Sequence, residues 1–182
     1  MAFLSRLRKG DKVPHALAAF DTGTGRPLVE LHEALMRGDS PLSVRDRETL
    51  AAFVSGVNAC DYCQGAHAAA AAQFGMDPSF LESLVTDPDL GAAADEWQPV
   101  FAYARKLTLQ PARIVQADVD AMLQVGWSER AVYDVMQITA LYNFMNRFAN
   151  GLGLDVVPDD FELEGAMLAR GYRDLIDAFE LR

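Results

Sequence analysis

The feature that most constrains this chain is the stretch 48–67, which reads ETLAAFVSGVNACDYCQGAH. Read as helix, turn near Asn58 and helix, it forms a hairpin. Glu48 then lies on the first arm, and Cys60, Cys63 and His67 on the second. The two cysteines are three residues apart, which stacks them on one helix face with Cα atoms roughly 5 to 6 Å apart, inside the span of a disulfide. They can therefore open and close as a redox pair. His67 follows Cys63 by four residues and shares that face one turn deeper, where an imidazole can take or return a thiol proton.

The first arm is built to be approached closely. Leu50, Phe53, Val54 and Val57 share one face, and Glu48, Ala52 and Ser55 share the other, which is small in cross-section. At about 1.5 Å per residue, Glu48 lies about 15 Å up the first arm and His67 about 10 Å down the second, a difference of about one turn. Their side chains can meet across the hairpin. A thiol in the first turn of a helix also feels the positive end of the helix dipole, which favours the thiolate at Cys60 and Cys63.

Other chemistries compete for these residues. Two cysteines alone read equally well as small buried apolar side chains, and it is Glu48 and His67 at their spacings that favour reactivity. Cys60, Cys63 and His67 are also zinc-ligand types, but no second CxxC or paired histidine supplies a fourth ligand, so no metal is expected. A thioredoxin-type CxxC follows a strand, and no segment of this chain alternates as an exposed strand does.

The remainder reads as helical scaffold, giving an all-α fold. Residues 1–26 form an N-terminal arm with one short helix over 14–20, closed by the Gly and Thr cluster at 21–25. A single helical domain over 27–182 follows. Helices are predicted over 27–36, from the Ser43 cap to near Asn58, over 60–74, 78–85, 92–109, 118–125, 128–151 and 168–179, with Asp118 and Ser128 as caps. His32 falls on the apolar stripe of its helix and reads as core or interface packing. The helix over 128–151 is apolar on most sides, which marks it as buried. Its polar line of Asn143, Arg147 and Asn150 suits hydrogen bonding between helices or subunits, with pairing of Arg147 to a carboxylate near the site as the sharper alternative. The pattern helix, Gly, cap, helix recurs around Gly75 and Gly126, an echo that suggests two related halves.

Composition narrows the partners. A formal net charge of −10 over 182 residues disfavours nucleic acid and anionic membrane as binding surfaces. No run approaches the roughly 20 apolar residues of a membrane span, and the opening MAFLSRLRKGDKVP lacks the apolar core of a signal peptide. Two cysteines make no secreted disulfide framework, and a cycling thiol pair suits a reducing compartment, so a cytoplasmic location is expected.

Glu48, eleven residues, Cys60-Asp61-Tyr62-Cys63, three residues and His67 resembles the active-site signature of the AhpD-like alkylhydroperoxidases in the carboxymuconolactone decarboxylase superfamily. The lead-in Leu42-Ser43-Val44-Arg45-Asp46-Arg47, the Gly126-Trp127-Ser128 step and the run from Tyr142 to Arg147 resemble the longer, peroxidase-related branch, and the likeness covers most of residues 25–160. It implies an AhpD-like helical bundle and a thiol-dependent peroxidase acting on organic hydroperoxides. Cys63 is then the peroxidatic thiol, Cys60 the resolving thiol, and Glu48 with His67 the proton relay. The scheme needs no metal, flavin or haem, only an external reductant, either a thiol or a lipoyl-type protein. The likeness, together with the apolar helix over 128–151, suggests a homo-oligomer. In the best-known family member a histidine precedes the second cysteine; here that position is Tyr62, so any role of that histidine does not transfer. Two other functions stay open, a decarboxylase-like enzyme acting on a small organic acid and a non-catalytic, redox-responsive helical oligomer.

Overall fold

A computed structural model describes residues 2–182. Among them are ten α-helices and no strand: α1 Val13–Phe20, α2 Gly25–Arg37, α3 Val44–Val57, α4 Asp61–Gln73, α5 Pro78–Thr86, α6 Gln98–Leu109, α7 Gln116–Gln124, α8 Glu129–Leu152, α9 Phe161–Ala169 and α10 Asp174–Ala178. The fold is an all-α bundle. No helix of the described residues is long and apolar enough to cross a membrane.

The centre of the bundle is α3, rather than the long α8. Every residue of α3 from Arg47 through Ser55 is buried, and α4, α5, α6 and α8 all pack on it. Ala51, Ala52 and Ser55 leave room for neighbours on the sides where Leu50, Phe53 and Val54 do not fill the space. By contrast α8 keeps an outer face, on which Tyr133 and Phe144 are more than half exposed. The run of apolar residues in α8 therefore includes a surface stripe. Of its polar line, Asn143 donates to Thr108 of α6 and accepts from Asn58, so interhelical bonding holds there. Arg147 donates back to Asn143 and, among the described residues, reaches no carboxylate.

Local capping explains most element ends. Ser43 and Asp46 form a reciprocal capping box at the start of α3. Asp77 caps α5 with Pro78 behind it, and Ser128 caps α8. Three ends depart from the sequence reading. Residues 92–97 are turns, and α6 begins only where Pro99 can occupy the first turn without a missing hydrogen bond. Asp118 is not the cap of α7 but lies three residues past the cap Val115, where its carboxylate accepts the Val115 N–H and pairs with Lys106 at 2.7 Å. The final helix expected over 168–179 is only the short α10, and α9 precedes it in a stretch where no helix is expected. Gly171 has a φ of 119°, accessible to glycine and strained for other residues, and the Glu33 carboxylate takes the amide of Tyr172 at 2.8 Å.

That break lets α9 lie flat against α4, and the fit is close. A Cβ at Gly165 would stand 2.5 Å from the Ala69 carbonyl carbon, and Gly65 has the Phe161 ring where its own Cβ would be. Backbone cannot yield as a side-chain tip does. Gly165→Ala is expected to lose about 2 kcal/mol despite the better helix propensity of alanine. A urea midpoint equal to or above that of the parent would refute this.

Candidate functional site

The hairpin of α3 and α4 brings the sequence-predicted residues together. Asn58 ends α3, Ala59 takes a left-handed φ of 51°, and Cys60 is the N-cap of α4. Cys63 therefore sits in the first turn, and His67 one turn on. Both thiols are free and buried, Cys60 at 1% and Cys63 at 5% exposure. The two thiols interact with each other, and the Asn146 side chain from α8 acts on both. The interaction with Cys63 holds the Cys60 thiol below its ordinary pKa, while the interaction with Cys60 together with burial pushes Cys63 well above.

Glu48 is fully buried and faces His67 across the hairpin, with Oε2 2.7 Å from Nδ1. An ionised carboxylate only accepts, so Nδ1 carries the ring proton and Nε2 is left as the basic nitrogen. Burial alone would push the Glu48 carboxyl up. The His67 hydrogen bond, with the positive charge of Arg37, outweighs it and holds the group below the usual carboxylate range.

Three further side chains complete this centre. Arg37, the last residue of α2, places Nη2 2.7 Å from Glu48 Oε1 and donates also to the carbonyls of Met36 and Leu168. The Tyr172 hydroxyl donates to the same Oε1 at 3.0 Å, and Tyr142 lies 3.3 Å from the Tyr172 oxygen. Since the Tyr172 proton goes to the carboxylate, Tyr142 is the donor in that second bond. The Tyr142 ring also meets the His67 ring at 4.5 Å, near perpendicular. The carboxylate is thus engaged on both oxygens and fixed toward His67. Arg37, Tyr142, Asn146 and Tyr172 were not singled out as site residues by the sequence reading, and no spacing within one helix relates them to the dithiol. The one signal was the resemblance of the run from Tyr142 to Arg147, which holds two of them.

Cys63 and His67 open on a cavity of about 380 Å³, whereas Cys60 lies behind them and does not line it. Its other walls come from both ends of the chain: Val13 and Leu17 of α1, Leu163 and Met167 of α9, and Leu175 and Phe179 beyond. The lining is largely apolar. Near the mouth Lys12 pairs with Asp160 at 3.1 Å and with Glu164, and it lies over the Tyr62 ring. His32 of α2 is part of the same wall. Among the described residues no three His, Cys, Asp or Glu side chains converge as a metal ion requires.

The carboxymuconolactone decarboxylase family model matches residues 23–106, which contain Glu48, both cysteines and His67. Two solved structures are similar over most of the chain. An uncharacterized peroxidase-related protein from Silicibacter sp. TM1040 is 30% identical with a TM-score of 0.74, over 82% of this chain and 78% of that one. An uncharacterized peroxidase-related protein from Ralstonia eutropha JMP134, described as an alkylhydroperoxidase AhpD core, is 25% identical with a TM-score of 0.74, over 83% and 79%. No curated protein matches at a comparable level.

Proposed function

Because the chain belongs to the AhpD-like branch of the carboxymuconolactone decarboxylase family, we propose that it is a thiol-dependent peroxidase reducing organic hydroperoxides through Cys60 and Cys63. The observation that carries this reading is the shared opening of Cys63 and His67 on one apolar cavity, with Glu48 engaging His67 from behind.

Each group has a task in this scheme. Cys63 passes its proton to Nε2 of His67 and, as thiolate, attacks the terminal oxygen of ROOH; an S–O bond forms and the O–O bond breaks. The leaving alkoxide takes the proton from His67 and departs as ROH. Cys63 is then a sulfenic acid. The Cys60 sulfur attacks it, the S–S bond forms, the S–O bond breaks, and the hydroxide leaves with the Cys60 proton as water. An external thiol or dithiol supplies the two electrons that restore both cysteines. Glu48, fixed by Arg37 and Tyr172, holds the His67 tautomer and stabilises the imidazolium that forms on the way.

The test is a free-thiol count on reduced protein before and after one equivalent of cumene hydroperoxide, with intact mass. Both thiols should disappear together, with the mass falling by two hydrogens. Two unreacted thiols in the folded protein would refute the peroxidase reading and favour a decarboxylase-like reaction or a non-catalytic role.

A further inference from the structure

His32 has no part in the chemistry above, yet it is 6% exposed and belongs to the wall of the same cavity. Its Nδ1 lies 2.7 Å from the Leu28 carbonyl one turn back on α2. A carbonyl only accepts, so Nδ1 carries the proton and Nε2 presents a lone pair. No described residue bonds that Nε2. The rings that touch His32 are Tyr142 at 6.1 Å and Tyr172 at 5.3 Å, and both phenol protons are committed elsewhere, one to Tyr172 and one to Glu48. Burial lowers the His32 pKa to about 4, so the ring stays neutral and an acceptor near neutral pH.

Much of the wall around this acceptor is apolar: Leu17, Met145, Leu163, Met167, Leu168 and Phe179 offer a ligand no hydrogen bond from their side chains. Of the other polar side chains in the lining, Lys12, Asp160 and Glu164 are engaged with one another. A pocket of this size suits a small organic molecule and leaves hydrogen peroxide loosely held. An acceptor with no partner in the protein, on a wall that is largely apolar, gives a ligand that brings a donor a hydrogen bond there.

We propose that His32 Nε2 is the second recognition point of the cavity, so that the preferred substrate is an apolar hydroperoxide bearing a hydroxyl group away from its peroxy end, donated to His32. The reaction half of this statement rests on the peroxidase reading. The binding half does not, and it can be tested with ligands that contain no peroxide.

The ligands are para-propylphenol and propylbenzene, which differ by one hydroxyl, titrated by calorimetry into the reduced full-length protein. The parent protein should bind the phenol roughly fivefold more tightly than the hydrocarbon, the size of one net hydrogen bond. His32→Leu should bring that ratio to one or below, and His32→Gln, which keeps an acceptor, should retain part of it. In the unsubstituted protein the His32 Nε2 resonance in nitrogen NMR should move upfield with the phenol and stay in place with propylbenzene, a readout that needs no variant to fold. An equal preference in parent and His32→Leu, an unmoved Nε2 resonance at saturation, or no binding of either ligand at millimolar concentration would each overturn the proposal. Failure of the peroxidase reading shows separately, as thiols that survive cumene hydroperoxide.

Discussion

In Cys63→Ser, peroxide turnover should fall by at least about a thousandfold, because a serine hydroxyl is not ionised where a thiol is. The geometry makes this substitution more damaging than its neighbour. Cys63 lines the cavity, and Cys60 lies behind it. Cys60→Ser should therefore still consume one equivalent of hydroperoxide and stop as a sulfenic acid at Cys63, detectable by mass after trapping with a carbon nucleophile. Steady-state turnover should be lost in both variants, and the single turnover in Cys63→Ser alone. A sulfenic acid formed at Cys60 in Cys63→Ser, with none at Cys63 in Cys60→Ser, would exchange the two roles. That result would also mean that the thiol with the lowered pKa, rather than the one facing the cavity, meets the peroxide.

Arg37→Met should cost about 3 kcal/mol of stability near neutral pH, in the range seen when one partner of a buried ion pair is removed. Methionine keeps the length and apolar stem of the arginine, so the loss reports mainly the carboxylate left behind at Glu48, which is fully buried. The pH dependence identifies the cause. In the parent the Glu48 carboxyl is held below its ordinary range, so its contribution is present above the unfolded pKa and is lost as pH falls through the folded one. Without Arg37 the burial penalty gains weight, the carboxyl rises, and stability is lost as pH rises instead. The gap between parent and variant should widen from about pH 5 to about pH 8 in urea unfolding. Adding Glu48→Gln to Arg37→Met should recover part of the loss at the higher pH. A gap independent of pH would assign the effect to loss of the guanidinium from the rings of Tyr172 and Phe74, over which it lies.

How far the sequence could be read follows from how far its interactions reach. The hairpin was legible because its determinants are local: the Ser43 and Asp46 capping box, the turn after Asn58, and the three- and four-residue spacings from Cys60 to His67. The meeting of Glu48 with His67 was legible for a similar reason, since both depths are measured from one turn. Arg37 and Tyr172 were not, because they reach Glu48 from α2 and from the segment between α9 and α10, through separations that no helical period encodes. The single helix expected over 168–179 missed the break at Gly171, which depends on Glu33 of α2 as much as on the glycine itself. Apolarity on most sides of α8 marks it as buried only if every face finds a partner, and Phe144 lies on a face that has none among the described residues.

The cavity described above draws its walls from segments far apart in the sequence. The hairpin with its dithiol lies inside the 23–106 region shared with the family, while α1, α9 and the segment after it close the space over Cys63 from outside that region. Much of the wall that meets a ligand can thereby change without touching the dithiol, although His32, Leu28 and Tyr62 of the wall lie within 23–106. On the peroxidase reading, relatives with an identical hairpin but divergent terminal segments should differ in which peroxide they accept more than in how fast the S–O bond forms.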